Sequence, residues 1–158
     1  MNFKKGFTLA EMVAVVAILM VLAAVSSPFV RGYIDDSYFY KAKIFLRQIN
    51  EARLNFEKDY PGTKINGVFP LILEERDCVA DEIYASGTVS PNMLVACHYI
   101  TQSTDLNNRY QFDIGSTASC GNDTVMVSML GLEDAGIYLG NCVGIDAEGV
   151  EHEGTTQH

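Results

Sequence analysis

Basic residues are scarce in the second half of this 158-residue chain. From residue 65 to residue 158, only Arg76 and Arg109 oppose fourteen Asp and Glu residues, a balance of −12. Affinity for nucleic acid rests largely on Lys and Arg displacing counterions from phosphates. We therefore expect no nucleic acid partner.

Histidine is also rare, and the common catalytic motifs are missing. The three histidines, His98, His152 and His158, are scattered along the chain. The sequence contains no phosphate-binding loop, no dinucleotide-binding glycine pattern, no G-x-S-x-G and no H-E-x-x-H. Asp146 and Glu148 resemble a fragment of a calcium loop, but the full ligand spacing is missing, so an acidic turn is expected there. We predict no enzymatic activity, no cofactor and no metal site.

Cysteine occurs four times, without a C-x-x-C pair. Cys78, Cys97, Cys120 and Cys142 are spaced 19, 23 and 22 residues apart, which favours disulfides over zinc. Among the three possible connectivities, we prefer Cys78 with Cys97 and Cys120 with Cys142, because these pairs close the two shortest non-overlapping loops. Disulfides would indicate an exported protein, whereas buried free thiols in a reducing compartment are the alternative.

The chain does contain one long apolar run near its N-terminus. Residues 12–25 are apolar without interruption. The wider stretch 7–30 would rise about 36 Å as a helix, enough to cross a hydrocarbon core of about 30 Å. Lys4 and Lys5 precede the run, so the positive-inside rule places the N-terminus in the cytoplasm and the remainder outside. The sequence thus predicts one membrane span, or, alternatively, an ordinary signal peptide with small residues at 24–26.

Glu11 argues against an ordinary signal peptide. A carboxylate inside a membrane span costs about 2.5 to 3.5 kcal/mol on insertion scales. No basic residue lies within the apolar run to neutralise it. We therefore expect this carboxylate to have a partner or a function.

The segment KKGFTLAE, from Lys4 to Glu11, followed by the apolar run, resembles the class III signal of type IV prepilins and type II secretion pseudopilins. The resemblance implies that residues 1–6 are a leader, and that prepilin peptidase cuts between Gly6 and Phe7 and methylates the new amine of Phe7. It also implies that Glu11, the fifth mature residue, acts in filament assembly.

The same resemblance implies a location and partners. The protein would lie in the bacterial inner membrane with one span and its head outside the cytoplasm, and would then enter an extracytoplasmic filament. Its partners would be copies of itself and related pilins, prepilin peptidase and an inner-membrane assembly platform.

Beyond the apolar run, the pattern becomes one-sided. Apolar residues recur every three or four positions at Ile34, Tyr38, Ala42, Phe45, Ile49, Ala52 and Phe56. This spacing predicts an amphipathic helix that packs one face on the rest of the protein. We expect it to end at Tyr60-Pro61-Gly62, with a kink or local melting near Pro28 and Gly32.

The remaining residues predict strands and turns. Short apolar or alternating runs lie at residues 68–73, 93–100, 109–114, 124–130 and 136–139, separated by Gly, Asn, Asp and Ser clusters. We expect an α+β fold in which a long helix packs on an antiparallel sheet, the roll that the resemblance implies. Its parts would be a membrane or filament-core helix at 7–30, an amphipathic stem at 31–60 and a sheet-containing head at 61–158, with a frayed acidic tail from Asp146.

The leading functional hypothesis is a structural subunit of a type IV pilus or pilus-like filament. A pseudopilin of a type II secretion system is the first alternative. The missing calcium loop and the paired cysteines favour the pilin. A secreted or tethered binding module with an ordinary signal or anchor is the second alternative.

Overall fold

The first element of the structure is one long helix, α1 (Leu9–Asp59), whose second half packs against the head. The computed structural model describes residues 8–71, 77–78, 87–115, 120 and 124–155. α1 contains 51 residues, which corresponds to about 77 Å at 1.5 Å per residue. It ends directly before Tyr60-Pro61-Gly62, as predicted.

The backbone of α1 stays helical through Pro28 and Gly32. The local melting predicted there is therefore wrong. A proline removes one backbone donor from the helical ladder, and that loss does not interrupt a helix of this length.

The second half of α1 buries the predicted apolar stripe. Ala42, Phe45, Ile49, Ala52 and Phe56 are all buried. By contrast, Ile34 is 42% exposed, so packing against the head begins about one turn later than the sequence pattern suggested. One face of the stem therefore supplies a layer of the core, as an amphipathic helix should.

The head contains a five-stranded antiparallel sheet. In their order across the sheet, its strands are β2 (Gly67–Phe69), β4 (Tyr110–Ile114), β5 (Val125–Gly131), β6 (Asn141–Asp146) and β7 (Glu151–Thr155). A separate parallel pair joins β1 (Lys64–Ile65) to β3 (Thr88–Val89). The predicted α+β arrangement of a long helix on an antiparallel sheet is confirmed.

The core lies between α1 and this sheet. Phe112, Val127 and Met129 are almost fully buried on adjacent strands. Phe45 of the stem packs edge-on against Phe112, with ring centroids 5.3 Å apart, and against Phe69 at 5.8 Å. Because β-strand side chains alternate between faces, the sheet presents its apolar side to the apolar stripe of the stem.

The strand predicted at residues 93–100 is wrong, because a short helix, α2 (Asn92–Ala96), begins there. Met93 and Leu94 are buried. Pro91 precedes α2 with backbone angles already in the helical region. A short buried apolar run does not by itself distinguish a strand from a helix, and the proline at its start favours the helix.

The strand predicted at residues 136–139 is also wrong. Glu133–Tyr138 form 3₁₀ turns that reverse at Gly136, where φ is +65°. This φ lies in the left-handed region that favours glycine, and a side-chain carbon added here would also meet the Asp35 carboxylate of the stem.

The tail from Asp146 is not frayed over its described part, because Glu151–Thr155 form β7 at the edge of the sheet. Neither β6 nor β7 was predicted from sequence. Gly144 interrupts the apolar pattern of β6, and Val125 of β5 lies close enough to exclude a side chain there.

Candidate processing and assembly segment

The first turn of α1 is closed by a reciprocal pair of hydrogen bonds. Thr8 is the N-cap, and its Oγ1 accepts a bond from the backbone N–H of Glu11 at 3.3 Å. The Glu11 carboxylate reaches back, and its Oε2 accepts bonds from the Thr8 backbone N–H and Oγ1, both at 2.8 Å. This capping box satisfies donors that every helix leaves unpaired at its start.

The segment that follows the cap is not buried against any part of the chain that the structure describes. The window Leu9–Ser26 has a mean hydropathy of 2.5 and is 0% buried. Leu9, Val13 and Met20 are each more than half exposed. A helix this long and this apolar fits a membrane span by length and composition. Exposed apolar surface on this scale indicates contact with lipid or with other proteins.

Of the N-terminal residues with predicted roles, the structure describes Glu11 and leaves four outside its range. Glu11 lies in the first turn of α1, where its carboxylate is exposed. Lys4, Lys5, Gly6 and Phe7 lie outside the described residues. Their predicted roles in topology, cleavage and methylation therefore stay predictions.

The N-terminal segment matches a known family model. Residues 1–27 match the prokaryotic N-terminal methylation motif. The chain carries a class III prepilin signal. No curated protein and no solved structure matches the chain.

The prepilin signal indicates a type IV pilin-like or pseudopilin protein. It covers 27 of 158 residues, so it bears on the N-terminal helix and not on the head. Together with the apolar helix that follows, the prepilin signal fits membrane anchoring. Proteins with this signal are usually structural rather than enzymatic.

Two disulfides stabilise the head of this prepilin-type protein. Cys78 is bonded to Cys97 and Cys120 to Cys142, which is the sequential pairing preferred from the sequence. The Cα atoms are 4.8 Å and 5.4 Å apart, within the usual range for disulfides. Loops of this length contribute about 3 kcal/mol each by the chain-entropy estimate.

A first contact between the stem and the head lies at the end of the sheet nearest the apolar segment Leu9–Ser26. The guanidinium of Arg109 lies 4.0 Å above the ring of Tyr38 on α1. Its Nη1 donates to the carbonyl of Asp134 at 2.8 Å and lies 3.7 Å from Asp35 Oδ1. One head cation thus binds two stem residues and a neighbouring loop.

Tyr138 makes the second contact at this end. Its ring stacks on Phe39 of α1 with centroids 4.0 Å apart. Its hydroxyl donates to Asp36 Oδ1 at 2.6 Å, and this bond is the main reason that the pKa of Tyr138 rises to about 12. The phenol therefore stays a protonated donor at neutral pH.

The last described strand is held to the stem by ion pairs. Lys43 Nζ lies 2.9 Å from Glu151 Oε2 and 2.9 Å from Glu153 Oε1. Arg47 Nε donates to Glu151 Oε1 at 2.7 Å. We call Lys43, Arg47, Glu151 and Glu153 the C-terminal latch. It explains why an acidic strand is ordered against a basic stretch of helix.

We predict that Glu151→Gln weakens the latch in a pH-dependent way. Burial disfavours the charged form of Glu151, but hydrogen bonds from Lys43 and Arg47 outweigh it and lower its pKa below the ordinary 4.5. The latch therefore stabilises the fold above pH 4.5 and loses that contribution as pH falls through the lowered value. At neutral pH the substitution should lower the free energy of unfolding by about 1 kcal/mol.

The measurement is urea unfolding of the full chain in detergent, at neutral pH and well below pH 4.5. The matched control is Glu153→Gln, because the Glu153 side chain is 65% exposed and should contribute less. A Glu151→Gln cost that stays the same at both pH values would contradict the latch.

The calcium-loop fragment is part of a turn. Asp146 Oδ1 accepts hydrogen bonds from the backbone N–H groups of Glu148 at 3.0 Å and Val150 at 2.7 Å. Its Oδ2 lies 2.8 Å from His152 Nε2, and this contact is the main cause of the lowered pKa of Asp146. Asp146 therefore closes the β6–β7 turn. Among the described residues, no group of three His, Cys, Asp or Glu side chains could hold a metal ion.

Sequence reasoning missed two parts of this arrangement. Thr8 was overlooked, although Thr8 and Glu11 form the T-x-x-E pattern that predicts a capping box ahead of an apolar run. The latch was missed because Lys43 and Glu151 are 108 positions apart, and no local pattern links them. Arg47 contacts the same distant carboxylate.

Proposed function

We propose that this protein is a structural subunit of a type IV pilus or pilus-like filament. Prepilin peptidase would remove residues 1–6, and the mature chain would polymerise through the first half of α1. Before assembly it would reside in the bacterial inner membrane, with one span and the head outside the cytoplasm. An inner-membrane assembly platform would transfer it into the filament.

One observation supports this proposal most strongly. The matched prepilin signal leads directly into a helix that is 0% buried from Leu9 to Ser26, while the same helix supplies one layer of the head's core further along. A continuous helix of this kind joins an assembly segment to a folded head without a flexible linker. The head is therefore positioned by whatever surrounds the apolar segment.

Glu11 supports a specific role in assembly. Both Thr8 donors bond Oε2, and among the described residues no hydrogen bond to Oε1 is found. Cleavage before Phe7 would create a positive amine close to this carboxylate, and it would leave the Thr8 N–H in place. In a filament the amine of an incoming subunit would pair with Glu11 of a neighbour and so favour one axial register. In a low-dielectric environment, the unpaired state would be costly.

Features of the head favour a pilin over a pseudopilin. The Cys120–Cys142 disulfide closes the region that leads into the last strands. The acidic turn at Asp146 is held by backbone hydrogen bonds rather than arranged as a cation site. A pseudopilin of a type II secretion system is the alternative, and a tethered binding module is the competitor from a different class.

Fractionation of producing cells tests the proposal. Cells with prepilin peptidase should release sheared filaments containing a chain shortened by six residues, visible by electron microscopy and immunolabelling. Cells lacking the peptidase should keep the full-length chain in the membrane and release no filaments. Protein that stays membrane-bound in both strains, without filaments in either, would support the tethered module instead.

A further inference from the structure

The loop at the membrane-proximal end of the head exposes two large apolar side chains. Ile137 is 65% exposed and Leu139 is 59% exposed, and they flank Tyr138. We call residues 132–140 the base loop. Tyr138 fixes this loop to the stem through Phe39 and Asp36. The exposed side chains therefore sit on an anchored loop.

The base loop lies close to the end of the candidate membrane span. Asp36, which accepts the hydrogen bond from Tyr138, is six residues beyond Val30, where the apolar stretch 7–30 ends, about 9 Å along α1. The headgroup layer of a bilayer adds roughly 5 to 7 Å on each side of its hydrocarbon core. A typical helix tilt of about 20° would lower one side of the head further. The base loop can therefore reach the lipid surface.

The stem exposes aromatic side chains between the candidate membrane span and the base loop. Phe29 is seven residues before Asp36, so it lies two helical turns beneath it on the same face. Phe29 is 76% exposed, and Tyr33 on the intervening turn is 78% exposed. Exposed aromatic residues at this height are typical of the belt at a membrane interface. Exposed aromatic side chains thus lie on the stem between the span and the base loop.

We propose that Ile137 and Leu139 of the base loop dock on the lipid surface of the membrane that holds α1. This inference rests on the membrane residence in the proposed function. The partner is a neutral lipid interface rather than an anionic one, because Glu133 and Asp134 of the same loop are exposed carboxylates. Docking would hold the head against the bilayer before assembly and would be broken when the subunit leaves the membrane.

Tryptophan fluorescence provides the test, because the chain contains no tryptophan. Single reporters are placed in the full chain at Ile137→Trp and Leu139→Trp. The matched control is Val150→Trp, which is similarly exposed at 53% but lies at the opposite end of β6. A fourth reporter, Met20→Trp, lies within the span and reports on membrane insertion. Each variant is reconstituted in phosphatidylcholine vesicles, with and without lipids brominated on the acyl chain near the headgroup.

We expect emission from Ile137→Trp and Leu139→Trp to shift to shorter wavelength in vesicles and to be quenched by the brominated lipid. Emission from Val150→Trp should do neither. Quenching equal to the Val150→Trp control would overturn the proposal, as would a shift that grows with protein-to-lipid ratio, which would indicate a second copy. Loss of quenching at Met20→Trp as well would instead show that the span itself is not in the membrane.

Discussion

Gly6→Leu should leave the full-length precursor in the membrane and abolish filaments. A glycine before the cut leaves room for extended backbone in the peptidase groove, whereas a leucine side chain would occupy that room. Immunoblotting of membrane and sheared fractions measures the outcome. We expect one band of precursor size in the membrane and no signal in the sheared fraction.

The matched control for this prediction is Gly6→Ala, which adds a single methyl group. It should be cut to a large extent, so that a failure of Gly6→Leu is assigned to bulk. Normal maturation of Gly6→Leu would remove the basis for placing the cut between Gly6 and Phe7.

Glu11→Val should separate membrane insertion from assembly. Removing the carboxylate makes the span cheaper to insert, by at most the roughly 2.5 to 3.5 kcal/mol that a charge costs at the centre of a span, so the membrane pool and cleavage should be preserved. Assembly should fail, because the Phe7 amine of an arriving subunit would enter an apolar environment unpaired, at a cost of several kcal/mol. We expect filament yield to fall by more than about tenfold.

Ser26→Val is the matched control, since it also replaces a polar group in the apolar helix. The Ser26 hydroxyl donates to the carbonyl of Leu22 in its own helix, at 2.7 Å. Filament yield from Ser26→Val should therefore stay near that of the unmodified chain. Intact filaments from Glu11→Val would show that this carboxylate is not the register contact.

The long helix could be predicted from sequence because its signals are local and periodic. The apolar run is long enough to span a membrane as a helix, the stripe from Ala42 to Phe56 repeats at helical spacing, and Pro61-Gly62 ends the pattern. The strands β4 and β5 were predicted for the same reason. Apolar residues recur at every second position in both, and these residues, such as Phe112 and Val127, face the core.

Predictions failed where a tertiary contact decides the local structure. β7 is polar and acidic, and it is ordered by Lys43 and Arg47 of the distant stem. The chain reverses at Gly136 with a positive φ beside Asp35 of the stem, a contact that no pattern near residue 136 reveals. The strand prediction at residues 93–100 failed because the period of a short apolar run does not distinguish a strand from a helix.

The candidate site was only partly predictable. Glu11 could be identified because a carboxylate in an apolar run is energetically conspicuous. Its immediate partner, Thr8, carries an equally local signal that was not used. The base loop could not be predicted from sequence, because the apolar residues Ile137 and Leu139 are also typical of a strand. The structure shows instead that the chain reverses at Gly136.

Mass spectrometry of the mature N-terminus tests the central claim most directly. The protein is purified from the membrane of cells that contain prepilin peptidase, and its N-terminal peptide is sequenced. The account predicts a chain that begins at Phe7 with one methyl group on its amine. A chain that begins at Met1, or at Ser27 after cleavage of an ordinary signal peptide, would contradict it.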